Sequence, residues 1–190
     1  RPAGYNGIAI AMDSETDVIT IGGESRTYEV DGVKYNTVIR VAAGEGNNDA
    51  GHEAVYGVGA AINTGELHIE NSYIYAEGPR ATPVYAFSTQ SPGATALVVK
   101  DSKLEAHSDS IWMPPFKLLA GGARATLLMT RNNSWFYGSE VLSNNWGAIS
   151  QDSVDAMTYV VNSSGISTEG GYGTYLTYGM RLYGSELYGG

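Results

Sequence analysis

Aromatic side chains are the residues of this chain best suited to holding a ligand. Trp112 and Phe116 fall in one polar, proline-bearing stretch, and Trp146 follows Asn144 and Asn145 in another. Flat rings carried on neighbouring surface loops, with Tyr137 at their edge, are a common way of stacking on sugars, so Trp112, Phe116, Tyr137 and Trp146 form a candidate ligand-binding group. The same rings could instead fold back over the core, and both readings stay open at this point. Metal chemistry finds less support. With no cysteine, a zinc site would need the dispersed His52, His68 and His107 to converge from distant segments. Asp152 and Asp155 are too sparse for a calcium loop, which needs several oxygen ligands. Gly57 and Gly59 lack the strand, glycine-rich turn and helix of a dinucleotide site. No metal or cofactor is expected.

The elements that position these rings are β-strands. Hydrophobic residues make up 43% of the 190 and charged residues only 16%, which excludes a disordered chain and a charge-laced helical one. Twenty-five glycines, and 14 tyrosines against 3 phenylalanines, favour tight turns joined to pleated surfaces. A formal charge of -9 opposes binding to nucleic acid or to anionic lipid. No apolar run reaches the roughly 18 residues of a membrane span. The start at Arg1 and Pro2 fits a processed, exported chain or an excised piece, and the expected location is secreted or at the cell surface.

An internal repeat gives these strands an order. The phrase from Leu67 to Ala76 alternates apolar and polar residues, bends at Asn71 and Ser72, and resumes at Ile74. Similar phrases run from Leu97 to Ala106, Leu128 to Tyr137, Tyr159 to Thr168 and Met180 to Gly189, and a third short run precedes each. One such unit cannot bury its own inward side chains, whereas stacked units pair their backbones and build a continuous core. The alignment predicts inward columns through Leu67, Leu97, Leu128, Tyr159 and Met180 in one strand and Ile74, Leu104, Trp135, Ile166 and Leu187 in the next. Its predicted corners are Asn71, Asp101, Asn132, Ser163 and Gly184, and it reads Trp135 as core. The expected fold is all-β: a right-handed parallel β-helix, a solenoid of about five coils. Residues 58–190 form the coils, and residues 1–57 supply an irregular N-terminal region of strands or a cap. The last phrase stops within its own second strand, so the chain is expected to continue beyond it or to have another protein chain cover the open coil.

This pattern resembles the pectin-lyase-like superfamily and, more loosely, the β-helical regions of bacterial surface proteins. The resemblance spans about Val58 to Gly190 and rests on the coil pattern. For the polysaccharide lyases of that superfamily it implies substrate along an outward sheet face, which would make Lys100 and Arg131 acid/base and carboxylate-binding groups, with Glu70 and His68 nearby. A column of Glu70, Lys100 and Arg131 is equally a solvated cross-strand ladder. The chain carries none of the signature motifs of the polygalacturonase-like hydrolases. Two functions follow as expectations. The first is a β-helical module of a secreted or cell-surface bacterial protein, serving binding, adhesion or assembly, with carbohydrate as a possible partner. The alternative is a polysaccharide-active enzyme, lyase or glycoside hydrolase, or a fragment or subunit of one. Whether the chain is an enzyme stays open at this stage.

Overall fold

The computed structural model describes residues 7–14, 18–42, 55–62, 65–78, 81–88, 94–107, 124–130, 133–143, 147–151, 157–168, 172–176 and 179–190. Among them every regular element is a strand, and no helix is long and apolar enough to cross a membrane. The strands fall into six tiers of three. The first tier is β1 (Gly7–Ser14), β2 (Val18–Gly22) and, after the hairpin β3 (Tyr28–Val30) and β4 (Val33–Tyr35), β5 (Thr37–Ala42). The second is β6 (Val55–Ile62), β7 (Glu66–Glu70) and β8 (Ser72–Glu77); the third is β9 (Ala81–Ser88), β10 (Thr95–Lys100) and β11 (Lys103–His107). The fourth is β12 (Arg124–Thr130), β13 (Asn133–Tyr137) and β14 (Glu140–Ser143). The fifth is β15 (Gly147–Gln151), β16 (Met157–Val161) and β17 (Ser164–Ser167), and the sixth is β18 (Tyr172–Leu176), β19 (Gly179–Tyr183) and β20 (Glu186–Gly189).

Each tier gives one strand to each of three six-stranded sheets, and neighbours within a sheet run parallel. Residues 1–57 therefore contribute β1, β2 and β5 as the first members of all three ladders. Their phase is hidden in the sequence because the hairpin and the residues after β5 set Ile19 far from Leu67, its partner in register.

The core lies between the sheets. In the second sheet the inward column runs Ile21, Ile69, Val99, Phe136 and Val160, the last four fully buried. In the third sheet it runs Ile39, Ile74, Leu104, Val141, Gly165 and Leu187. Gly165 sits in a tight spot: a Cβ there would stand 2.9 Å from Cδ2 of Leu187 and 3.0 Å from the Gly173 carbonyl oxygen. Burying one such aliphatic side chain contributes about 1.5–3 kcal/mol.

The corner between the second and third sheets repeats one dipeptide. Asn71, Asp101, Gly138, Asn162 and Gly184 all have φ between 45° and 56°, the left-handed region that Asn, Asp and Gly tolerate best. A serine follows each. The backbone N–H of Ser72 donates to Oγ of Ser102, Ser102 to Ser139, Ser139 to Ser163 and Ser163 to Ser185, at 3.0–3.2 Å. Each hydroxyl in turn donates to the carbonyl two residues before it, at 2.7–3.0 Å. Five buried or part-buried corners thus satisfy their polar groups in one continuous ladder.

This register corrects the phase expected from sequence. Positions aligned with Leu67 are Leu97, Ser134, Thr158 and Met180, so successive steps are 30, 37, 24 and 22 residues. Leu128 and Thr130 belong to the first sheet, paired with Ala86 and Ser88. Tyr159 and Val161 are offset by one residue from their expected places, and a one-residue slip turns every side chain to the other face. Trp135 and Ile166 consequently point outward rather than into the core, and Gly138 and Asn162 take the corners assigned to Asn132 and Ser163.

Candidate functional site

The second sheet presents two outward columns. One runs Thr20, His68, Val98, Trp135, Tyr159 and Arg181; the other runs Gly22, Glu70, Lys100, Tyr137, Val161 and Tyr183. Strand alternation places both on the side away from the core, and Trp135, Tyr137 and Tyr159 are all half-buried there.

These three rings build a wall. Trp135 and Tyr159 stack across tiers four and five with centroids 3.7 Å apart and planes 5° from parallel. That separation is a face-to-face contact, so the ring normals run along the direction in which tiers stack. The Arg181 guanidinium backs the far side of Tyr159, 5.9 Å from its centroid, a cation held over a ring face. Trp135 and Tyr137 come from alternate positions of one strand, with centroids 5.8 Å apart and planes 4° from parallel. At that distance the parallel rings are offset from one another rather than sharing one plane.

Tier three supplies the floor. The partner of Trp135 there is Val98 and the partner of Tyr137 is Lys100, and the short Val98 leaves the indole standing above it. Beyond the floor, tier two carries His68 and Glu70 as the partners of Val98 and Lys100. His68 Nε2 lies 2.7 Å from Glu66 Oε2, with both side chains partly exposed. Wall and opposite side are two strand spacings apart, about 9–10 Å. The register thus gives this face the order of a trough: an aromatic wall, an apolar and cationic floor, and a histidine–carboxylate pair beyond it. Partial burial raises the Tyr137 phenol above its ordinary pKa, so it stays a neutral hydrogen-bond donor and acceptor.

The trough gathers four of the side chains singled out in the sequence: Tyr137, Lys100, Glu70 and His68. Arg131, Trp112, Phe116 and Trp146 lie outside the described residues, as do His52, Asp152 and Asp155. The register gives the position facing Lys100 to Tyr137 rather than to Arg131. His107 lies on β11 opposite Glu77 of the third sheet, away from His68. Among the described residues no three His, Asp or Glu side chains are grouped to hold a metal ion. Sequence reasoning missed Trp135 and Tyr159 as surface residues. The signal that finds them is the corner dipeptide, since counting back from Gly138 and Ser139 sets Trp135 on the outward phase.

A second polar cluster covers the outer side of the third sheet. Tyr73 donates to Oε2 of Glu105 at 2.9 Å, and Lys103 Nζ sits 3.4 Å from Glu105 and 3.4 Å from Glu140. Arg40 lies 5.5 Å from the centre of the Tyr73 ring, and Tyr35 packs against it at 5.7 Å. Burial works against the charge of Lys103, but the two carboxylates outweigh it and hold its pKa above the ordinary lysine value. Tyr73 is only 4% exposed. No protein-family model, no curated protein and no solved structure matches the chain.

Proposed function

We propose that this chain is a noncatalytic binding module of a secreted or cell-surface bacterial protein. Its six tiers wind as a right-handed parallel β-helix like those of the pectin-lyase-like superfamily, and the trough on the second sheet binds carbohydrate. The observation that carries the reading is the outward cluster of Trp135, Tyr137 and Tyr159 beside Val98 and Lys100. Outward aromatic rings held by a stacking partner suit a sugar ring, with polar groups at the rim to meet its hydroxyls. The test is a glycan array probed with the natural chain and with Tyr137→Ala. Retention of one glycan class by the natural chain, reduced in the variant, supports the reading; no retained glycan overturns it.

A second reading, catalysis on a polysaccharide, draws on one observation. His68 is paired to Glu66 at 2.7 Å on the same face as Lys100 and Glu70, an arrangement that can move protons. Unsaturated or shortened products from an acidic polysaccharide, lost in both His68→Ala and Lys100→Ala, favour it. Turnover unchanged in both variants removes these residues from any mechanism.

A further inference from the structure

We infer that the sixth tier is a docking surface for a second copy of this chain, the two copies meeting end to end about a twofold axis through the corner of Gly184 and Ser185. The inference is independent of what the second sheet binds.

The sixth tier leaves its core uncovered. Its strands β18, β19 and β20 are each the last member of a sheet. Among the described residues, large apolar side chains stay exposed only in the first tier with its hairpin and in the sixth, where they are Tyr172, Leu182, Tyr183 and Tyr188. The two ends differ in how the core is closed. Ile21 and Ile39, inward residues of the first tier, are each 8% exposed, whereas Leu182, which continues the inward column beyond Val160, is 47% exposed. Three edge strands around an open core offer both backbone pairing and apolar burial to a partner.

The backbone fixes how a copy would pair. The Tyr183 carbonyl accepts from the Asn162 N–H at 2.8 Å, and the Glu186 N–H donates to the Ser163 carbonyl at 3.1 Å, so both residues turn their backbone groups toward tier five. Successive residues of a strand direct these groups to opposite sides. Leu182 and Leu187 therefore turn theirs to the open side. A twofold axis through the corner lays β19 of one copy antiparallel to β20 of the other, with Leu182 opposite Leu187 as a hydrogen-bonded pair. Leu187 is also an inward position, in register with Gly165, so the same pairing closes one open core on the other.

The side chains complement each other in that register. On the outer face Tyr183 falls opposite Glu186 and Arg181 opposite Tyr188, and symmetry makes each pair twice. Tyrosine against glutamate repeats the combination of Tyr73 with Glu105 inside the chain. Arg181, already 5.9 Å from the Tyr159 ring centre, gains a second ring on its open side. Cross-strand pairs of these kinds stabilise antiparallel strands.

Charge selects this end and this partner. The chain carries -9, yet from residue 172 onward Arg181 and Glu186 are the only charged side chains, so two copies repel each other least here. A head-to-tail contact would instead set the open core against Ile21 and Ile39, which are already covered, and against a corner that the β3–β4 hairpin interrupts. It would also bring up a first tier with more acidic than basic residues. The twofold contact is self-complementary and stops at two copies.

The experiment is sedimentation equilibrium of the whole chain at micromolar concentrations, with variants of the sixth tier. The natural chain should approach twice the 20.2 kDa of one chain and grow no further. Tyr183→Glu, which sets like charges opposite each other twice, should weaken the dimer at least about tenfold. Adding Glu186→Lys to it should restore the dimer, an outcome that a misfolded variant cannot give. The chain has no cysteine of its own. Arg181 and Tyr188 fall at a non-hydrogen-bonded pair, with Cα atoms about 4.5 Å apart, within disulfide reach. The double variant Arg181→Cys with Tyr188→Cys should thus give a covalent dimer on oxidation, and neither single variant should. A monomer at every concentration, assembly that grows past two copies, a dimer indifferent to Tyr183→Glu, or no linked dimer from the double cysteine variant overturns the inference.

Discussion

Trp135 and Tyr159 meet ring to ring across adjacent tiers, 3.7 Å apart and 5° from parallel. This contact holds the wall of the trough upright, so it should carry measurable coupling energy. Trp135→Ala and Tyr159→Ala should each lower stability in urea unfolding. The double variant should lose about 0.5–1.5 kcal/mol less than the two single losses combined. Additive losses would show that the rings stand independently and that the wall has no backing.

The serine ladder makes a contrasting pair of expectations. Ser102 accepts the N–H of Ser72 and donates to the Lys100 carbonyl, so Ser102→Ala leaves a buried N–H unpaired and should cost about 1–3 kcal/mol. Ser134 is equally buried, but its hydroxyl has no hydrogen-bond partner. Ser134→Ala removes an unsatisfied polar atom and should be neutral or stabilising in the same unfolding assay. Equal losses from both would mean that the ladder contributes nothing specific.

Ser134 also explains where the sequence misled. Leu67, Leu97 and Ile74 are legible because large aliphatic residues hold the inward phase in tiers two and three. In tiers four and five the position aligned with Leu67 is Ser134 and then Thr158, both fully buried. A search for hydrophobic alternation therefore slid to Leu128 and Tyr159. The first slip borrowed a strand from another sheet, and the second turned an outward ring inward. Backbone requirements were the steadier guide. A residue tolerant of positive φ followed by serine recurs at Asn71, Asp101, Gly138, Asn162 and Gly184, because every corner needs the same turn and the same hydroxyl. The repeat and the all-β parallel architecture were thus readable from side-chain pattern, while the trough was not: its wall depends on a phase that only the corners reveal.

Glycines in the first tier separate strain from crowding. Gly22 has φ of +103°, and a Cβ there would stand 1.8 Å from the Glu70 carbonyl oxygen. Gly22→Ala should cost more than about 3 kcal/mol, since the strained conformation and the backbone clash add. Gly32, in the turn between β3 and β4, has φ of +80° with nothing within 4 Å. Gly32→Ala should cost only the conformational penalty, about 1–2 kcal/mol. Unfolding midpoints of the two variants should differ accordingly, and similar midpoints would contradict the close approach of Gly22 to β7.

Alkaline pH should loosen the third sheet. Burial, with Glu77 alongside as a charge and a hydrogen-bond acceptor, pushes the Tyr75 phenol from 10.0 to about 12. Burial and the bond to Glu105 push Tyr73 higher still. A phenol with its folded pKa raised favours folding while it is neutral. That contribution is present in full below the unfolded value of 10.0 and is lost as pH rises from there to about 12 for Tyr75, with the loss from Tyr73 extending further. Stability measured against pH should fall across this window, and Tyr75→Phe should remove part of the slope. A curve for Tyr75→Phe parallel to that of the natural chain would contradict the assignment.

A sugar bound as proposed would lie between Trp135 and His68, beside Val98 and Lys100. Amide chemical shifts of the isotope-labelled chain, recorded as cellotetraose is added, locate the contact directly. The largest shifts are expected on residues 97–100 and 134–137, with smaller ones on 68–70, and the third sheet around Tyr73 should stay unchanged. Shifts centred on the third sheet, or on residues away from β7, β10 and β13, would contradict it.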